Sequence, residues 1–77
     1  MKLLYFAMLR ERLNRSEEEV EFEGTIAQLR DFLINRYGEL EPLLKVSKFA
    51  VNEEYVEDSY FLKGGERVAV IPPVSGG

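Results

Sequence analysis

The chain has 77 residues, 45% of them hydrophobic and 31% charged, with 10 basic against 14 acidic side chains for a formal charge of −4. That length holds one compact core and not two, the composition is that of a folded globular domain, and the acidic balance repels a phosphate backbone, which argues against a nucleic-acid partner. Cys and His are both absent, which removes disulfides, the usual metal ligands, the neutral-pH proton shuttle and the Ser/His and Cys/His nucleophile pairs.

Residues 2–7 (KLLYFA) form a nearly continuous apolar run that predicts a strand buried on both faces or close to it. The longest apolar stretch, residues 3–9, is far short of the roughly 20 residues that span a bilayer, and no signal pattern precedes it. A soluble, cytoplasmic protein with no membrane partner is therefore expected. Residues 8–14 (MLRERLN) are good helix formers in too short a run, which predicts a helical turn or loop. Residues 18–23 (EEVEFE) alternate, which predicts a half-buried strand with Val20 and Phe22 inward and the glutamates in water.

Gly24 breaks that strand, and Thr25 with Gln28 makes a capping box that starts a helix at Ile26. Ile26, Leu29, Leu33 and Tyr37, with Phe32 beside them, give that helix one apolar stripe. Gly38 is placed to stop it with a left-handed cap. After Pro42 and the apolar pair Leu43 and Leu44, residues 48–51 read as a strand, and Asn52, Glu53 and Glu54 turn the chain into a brief strand at Tyr55 and Val56. Gly64 and Gly65 form a further turn; no Lys-Ser or Lys-Thr pair follows them, so they are not a phosphate loop. Residues 67–71 (RVAVI) predict a buried strand, and Pro72 and Pro73 end it because neither can donate a ladder hydrogen bond.

This order places one amphipathic helix against one mixed sheet. The two most apolar strands, the first and the last, sit best as a sheltered parallel pair in the middle. The fold class expected is α+β, a ubiquitin-like β-grasp with one main helix packed on one face, spanning residues 1–71 and followed by a tail at 72–77. One helix covers one face of the sheet, so alternation leaves an apolar patch on the other, with Phe6 and Ile71 as its candidates and core packing as the competing explanation for each.

The ending PPVSGG carries the chemistry. Pro72 and Pro73 hold the chain extended as it leaves the sheet, so that Val74, Ser75, Gly76 and Gly77 project over a reach on the order of 20 Å. Gly76 and Gly77 lack a Cβ, which lets the backbone pass a narrow channel and leaves the last carbonyl carbon unshielded. A free α-carboxyl group, with a pKa of about 3.5, is an oxyanion at neutral pH and can attack the α-phosphate of ATP to give an acyl adenylate.

Three segments, FAMLRE (6–11), AVNEEYV (50–56) and above all GGERVAVIPPVSGG (64–77), together strongly resemble the family of molybdopterin synthase small subunits. The resemblance covers essentially the whole chain. It implies a sulfur carrier whose C-terminal glycine, Gly77, is adenylated by an enzyme of the ubiquitin-activating class that consumes ATP, then converted to a thiocarboxylate. It further implies that the tail enters a large subunit, in a heterotetramer of two small and two large chains, and passes its sulfur to cyclic pyranopterin monophosphate. The carrier is not catalytic alone and binds no cofactor itself. A chain without Cys cannot hold sulfur as its own persulfide, which fits loading on the terminus.

By the same resemblance, Arg10 matches the arginine of the family's opening signature and is a partner-docking charge, or else an ordinary solvated arginine. Phe6, Ile71, Pro72, Pro73, Val74 and Ser75 are the remaining partner-binding candidates. The acidic run 17–23 reads as a solvated face, and no metal site is expected. Two other functions stay open at this point: a protein modifier or a sulfur carrier for thiazole or tRNA thiolation, which keeps the activated tail, and a non-covalent binding module, which does not need it.

Overall fold

The computed structural model describes residues 1–73; Val74, Ser75, Gly76 and Gly77, expected to form the working end of the tail, lie outside the described residues. The chain runs β1 (Lys2–Tyr5), α1 (Ala7–Leu13), β2 (Glu17–Glu19), β3 (Gly24–Thr25), α2 (Ile26–Arg36), a 3-10 turn (Gly38–Leu40), α3 (Glu41–Lys45), β4 (Lys48–Val51), β5 (Glu54–Val56), β6 (Phe61–Leu62) and β7 (Arg67–Ile71). Five strands form one sheet in the order β2-β1-β7-β4-β5, and β3 and β6 form a separate two-stranded ribbon. The two apolar strands do pair in parallel at the centre, Leu3 opposite Val68 and Tyr5 opposite Val70. All other neighbours are antiparallel.

Alternation sends Leu3, Tyr5, Val68, Val70, Phe49 and Val51 to one side of the sheet, where Ile26, Leu29 and Leu33 of α2 meet them in a single core. The helix starts as its residues require: Thr25 accepts from the Gln28 amide at 3.2 Å, and Gln28 Oε1 accepts from the Thr25 amide at 2.9 Å. Gly24 is obligatory just before it. Its φ is +150°, and a Cβ there would stand 2.5 Å from Gln28 Oε1 and 3.2 Å from the Phe22 ring.

Several expectations need correction. Residues 8–14 are no loop but most of α1, ended by left-handed Asn14, and the burial of Leu9 in the core gives this short helix its anchor. The acidic strand is shifted to Glu17–Glu19, because its partner β1 begins at Lys2 and beyond it Val20 meets only the terminal residue, donating to the Met1 carbonyl at 3.0 Å and accepting from the Met1 amino group at 2.9 Å. Gly38 is not a left-handed cap. The helix closes at Tyr37 (φ −126°), and Gly38 opens a 3-10 turn that carries Leu40 and then Leu44 of α3 into the core. Pro42 lies in the first turn of α3, where its missing N–H costs nothing. The first strand is not buried on both faces, since Leu4 is half-buried and Phe6 exposed.

Candidate functional site: the open sheet face and the root of the tail

β7 is hydrogen-bonded to β1 on one side and β4 on the other, so the strand that leads into the tail is the central strand of the sheet. Its last residue, Ile71, is half-buried; Pro72 is fully buried and Pro73 exposed. Packing against the body therefore includes Pro72, while Pro73 stands exposed.

Among the described residues, no helix covers the centre of the face opposite α2. Ala50 and Ala69, paired across β4 and β7, make a low floor there. Leu4, Phe6, Tyr55 and Ile71 rise around that floor, and the result is a shallow apolar hollow of about 340 Å³ with Arg67 and Glu53 on its rim. A second groove of about 200 Å³ runs from Tyr55 and Ile71 past Lys48 to Pro72 and Pro73, so the hollow is continuous with the root of the tail. Exposed aromatic side chains are the unusual feature: Phe6 is 43% and Tyr55 68% exposed. Large apolar groups presented together around a concavity mark a place where another surface sits.

Of the sequence candidates, Phe6, Ile71, Pro72 and Pro73 are brought together along this line. Arg10 is not; it stands exposed on α1, outside the lining of both grooves. Val74, Ser75, Gly76 and Gly77 lie beyond the described residues. Tyr55, Ala50, Ala69 and Lys48 were missed. The register of the β4–β5 hairpin, in which Ala50 faces Tyr55, is the signal that could have found Tyr55.

The acidic run is not wholly a solvated face. Glu18 shares its phase with Val20, points inward and is 8% exposed. Its Oε1 accepts from the Tyr5 hydroxyl at 2.7 Å and the Tyr37 hydroxyl at 2.8 Å, while Arg15 and Arg36 approach Oε2 at 3.2 and 3.1 Å. Burial pushes this carboxyl up, but the two hydroxyls and two guanidinium groups outweigh it and hold it below the usual carboxylate range. Burial and the same carboxylate push the Tyr5 and Tyr37 hydroxyls up. Among the described residues no three carboxylates converge to hold a metal, and no helix is long and apolar enough to cross a membrane.

A mixed sheet with a parallel central pair, crossed on one face by a capped helix, defines a ubiquitin-like β-grasp protein. Residues 3–77 match the ThiS family. A molybdopterin synthase sulfur carrier subunit from Chlamydomonas reinhardtii is 42% identical over 100% of this chain and 98% of its own length. Among solved structures, a Pyrococcus furiosus protein assigned as molybdopterin converting factor subunit 1 superposes with a TM-score of 0.80 at 29% identity, covering 95% of both chains. A chain of the complex of molybdopterin-converting factor subunits 1 and 2 from Helicobacter pylori gives 0.71 at 23% identity, covering 99% of this chain and 96% of its own, which is a likeness of fold. The chain belongs to the ThiS family.

Proposed function

We propose that this chain is the sulfur carrier subunit of a molybdopterin synthase and carries its sulfur as a thiocarboxylate on Gly77. The observation that carries this reading is the end-to-end match to named sulfur carrier subunits, joined to a body that presents an apolar hollow running to the root of the tail.

The chemistry begins at the Gly77 carboxylate. One oxygen attacks the α-phosphorus of ATP in an activating enzyme, pyrophosphate leaves, and the carboxyl carbon becomes part of a mixed anhydride. Hydrosulfide, or a persulfide sulfur whose S–S bond a thiol reductant then cleaves, attacks that carbon, AMP leaves with the bridging oxygen, and the thiocarboxylate remains. In the large subunit the thiocarboxylate sulfur bonds to a carbon of cyclic pyranopterin monophosphate, an oxygen substituent leaves that carbon, and water then cleaves the acyl–sulfur bond to restore the carboxylate. The small chain supplies mounting and reach. Central strand β7 and buried Pro72 fix where the tail starts, Pro73 keeps it extended, and Gly76 and Gly77 present no side chain to a narrow channel. The hollow with Phe6, Tyr55 and Ile71 is the docking face for the large subunit and, in turn, for the activating enzyme, in a heterotetramer of two small and two large chains.

Intact-mass analysis of the protein purified from its own cells tests this. Exchange of one oxygen for sulfur, placed on Gly77 by fragmentation, is the expected result, together with molybdopterin formation when the loaded chain is mixed with large subunit and precursor. An unmodified terminus in cells that make molybdopterin overturns it, and isopeptide-linked lysine conjugates in place of sulfur transfer favour a protein modifier.

A further inference from the structure

Among the described residues, four that are not glycine have left-handed backbone: Ala7 (φ 51°), Asn14 (57°), Asn52 (49°) and Glu53 (74°). Asn14 closes α1, and Asn52 and Glu53 make the two-residue turn between β4 and β5, places where such angles are ordinary. Ala7 is different. It is the first residue of a helix, where right-handed angles are expected, and it has neither the short polar side chain of Asn nor the missing Cβ of Gly that makes this region comfortable. It is also exposed, so burial of its methyl group does not account for the conformation.

Its neighbours hold it. Tyr5 is buried and bonded to Glu18, and Leu9 is fully buried in the core. The Phe6 amide donates to the Val70 carbonyl at 3.4 Å, and the Phe6 carbonyl accepts from the Leu9 and Arg10 amides at 3.1 and 3.4 Å. Between these fixed points the chain turns from strand to helix within residues 6–7. The left-handed step at Ala7 makes that turn, and it leaves Phe6 facing away from the core, on the hollow beside Leu4, Ala69 and Ile71.

We propose that Ala7 is a positioning residue: its strained backbone fixes the Phe6 ring on the rim of the hollow, so that the ring is ordered in the free chain before a partner's apolar protrusion docks. This rests on reading the hollow as the docking face. Strain of this kind persists only where the surrounding structure over-determines it, and it gathers where a group must be held ready. An anchor already in place spares the loss of side-chain freedom that binding would otherwise impose.

Three variants separate the possibilities. Ala7→Gly relieves the strain but frees the junction, Ala7→Asn relieves it while favouring the same left-handed region, and Phe6→Ala removes the anchor. In the free chain, Ala7→Gly is expected to raise Tm by about 2–8 °C. NMR couplings should report one Phe6 χ1 rotamer in the wild type and averaging in Ala7→Gly. A fall in Tm, or averaging already in the wild type, overturns the proposal whether or not the partner has been correctly identified. Against the cognate large subunit, titration calorimetry should show Ala7→Gly about threefold to tenfold weaker despite its higher Tm, Ala7→Asn recovering most of that loss, and Phe6→Ala weaker still. Undiminished affinity in Ala7→Gly, with Phe6→Ala weakened, overturns the positioning role alone. Wild-type affinity in Phe6→Ala overturns the docking face along with it.

Discussion

The Tyr5 hydroxyl donates to Glu18 Oε1 across 2.7 Å, inside the core edge, although Glu18 belongs to a run of glutamates on the outermost strand of the sheet. Tyr37, at the end of α2, donates to the same oxygen. One carboxylate therefore ties β2, β1 and α2 together. The guanidinium groups of Arg15 and Arg36 are about half exposed and contribute little beside the two hydroxyl bonds.

Removing that carboxylate leaves the buried Tyr5 hydroxyl without its acceptor. Glu18→Ala is expected to cost about 2–3 kcal/mol, read by urea unfolding. The Glu18 carboxyl is held below its ordinary range in the fold, so the unfolded chain, with a carboxyl pKa near 4.3, takes up a proton first as pH falls. The stability from Glu18 is thus full above about pH 5 and is lost on passing down through the depressed folded value. Glu18→Gln should flatten this acid limb of Tm against pH. An unchanged acid limb in Glu18→Gln would show that other carboxylates, Glu66 with its three backbone donors among them, govern it.

Gly24 makes a second stability test because both of its constraints act in the same direction. Ala at this position must adopt φ +150° and push a methyl group into Gln28 Oε1, the oxygen that accepts from the Thr25 amide in the capping box. Gly24→Ala should destabilise by about 2 kcal/mol, and the loss should shrink in a Gln28→Ala background, where the Oε1 clash and the Gln28 side-chain half of the capping box are already gone while the Thr25 half remains. Additive losses in the double-mutant cycle would place the strain elsewhere.

What was legible in the sequence is what is local. The capping box, the RVAVI strand and the hairpin at Asn52 and Glu53 each carry their signal within a few residues. α1 reads as no more than a helical turn or loop, and α3 was missed, because seven and five residues are too few for periodicity to speak, and the ribbon of β3 and β6 was missed because two-residue strands have no pattern. Glu18 was misplaced for another reason. Alternation places it in phase with Val20, but a glutamate can sit inside only with partners to satisfy it, and those lie 13 and 19 residues away in the chain. The site divides in the same way. Phe6 and Ile71 followed from alternation along single strands, whereas the hollow exists only once Ala50 and Ala69 are set side by side and Tyr55 beyond them.

The hollow can be closed without disturbing the core. Ala69 lies on the outward side of β7, so Ala69→Leu adds bulk to the floor while Val68 and Val70 keep their places. Thermal stability should stay near wild type, and affinity for the large subunit should fall by about 2 kcal/mol or more, as when a central pocket of an interface is blocked. Calorimetry and Tm together check this. A binding loss matched by an equal loss of Tm would mean that the strand, not the face, had been damaged.

Deleting Gly77 separates docking from chemistry. The hollow, β7 and Pro72 are untouched by the deletion, so the shortened chain should still bind the large subunit, and it should compete with the full chain for it. It should form no thiocarboxylate that supports molybdopterin synthesis, because the new terminal carbonyl stops one residue short, a shortfall of about 3.5 Å along an extended chain, far outside the tolerance of a positioned reaction. Gly76→Ala should be intermediate, docking normally and turning over slowly, since it adds a single methyl group to a segment that must thread a channel. The measurements are competition binding and single-turnover sulfur transfer. Full transfer by the shortened chain would remove Gly77 from the reaction and move the search for the sulfur-bearing atom elsewhere in the protein.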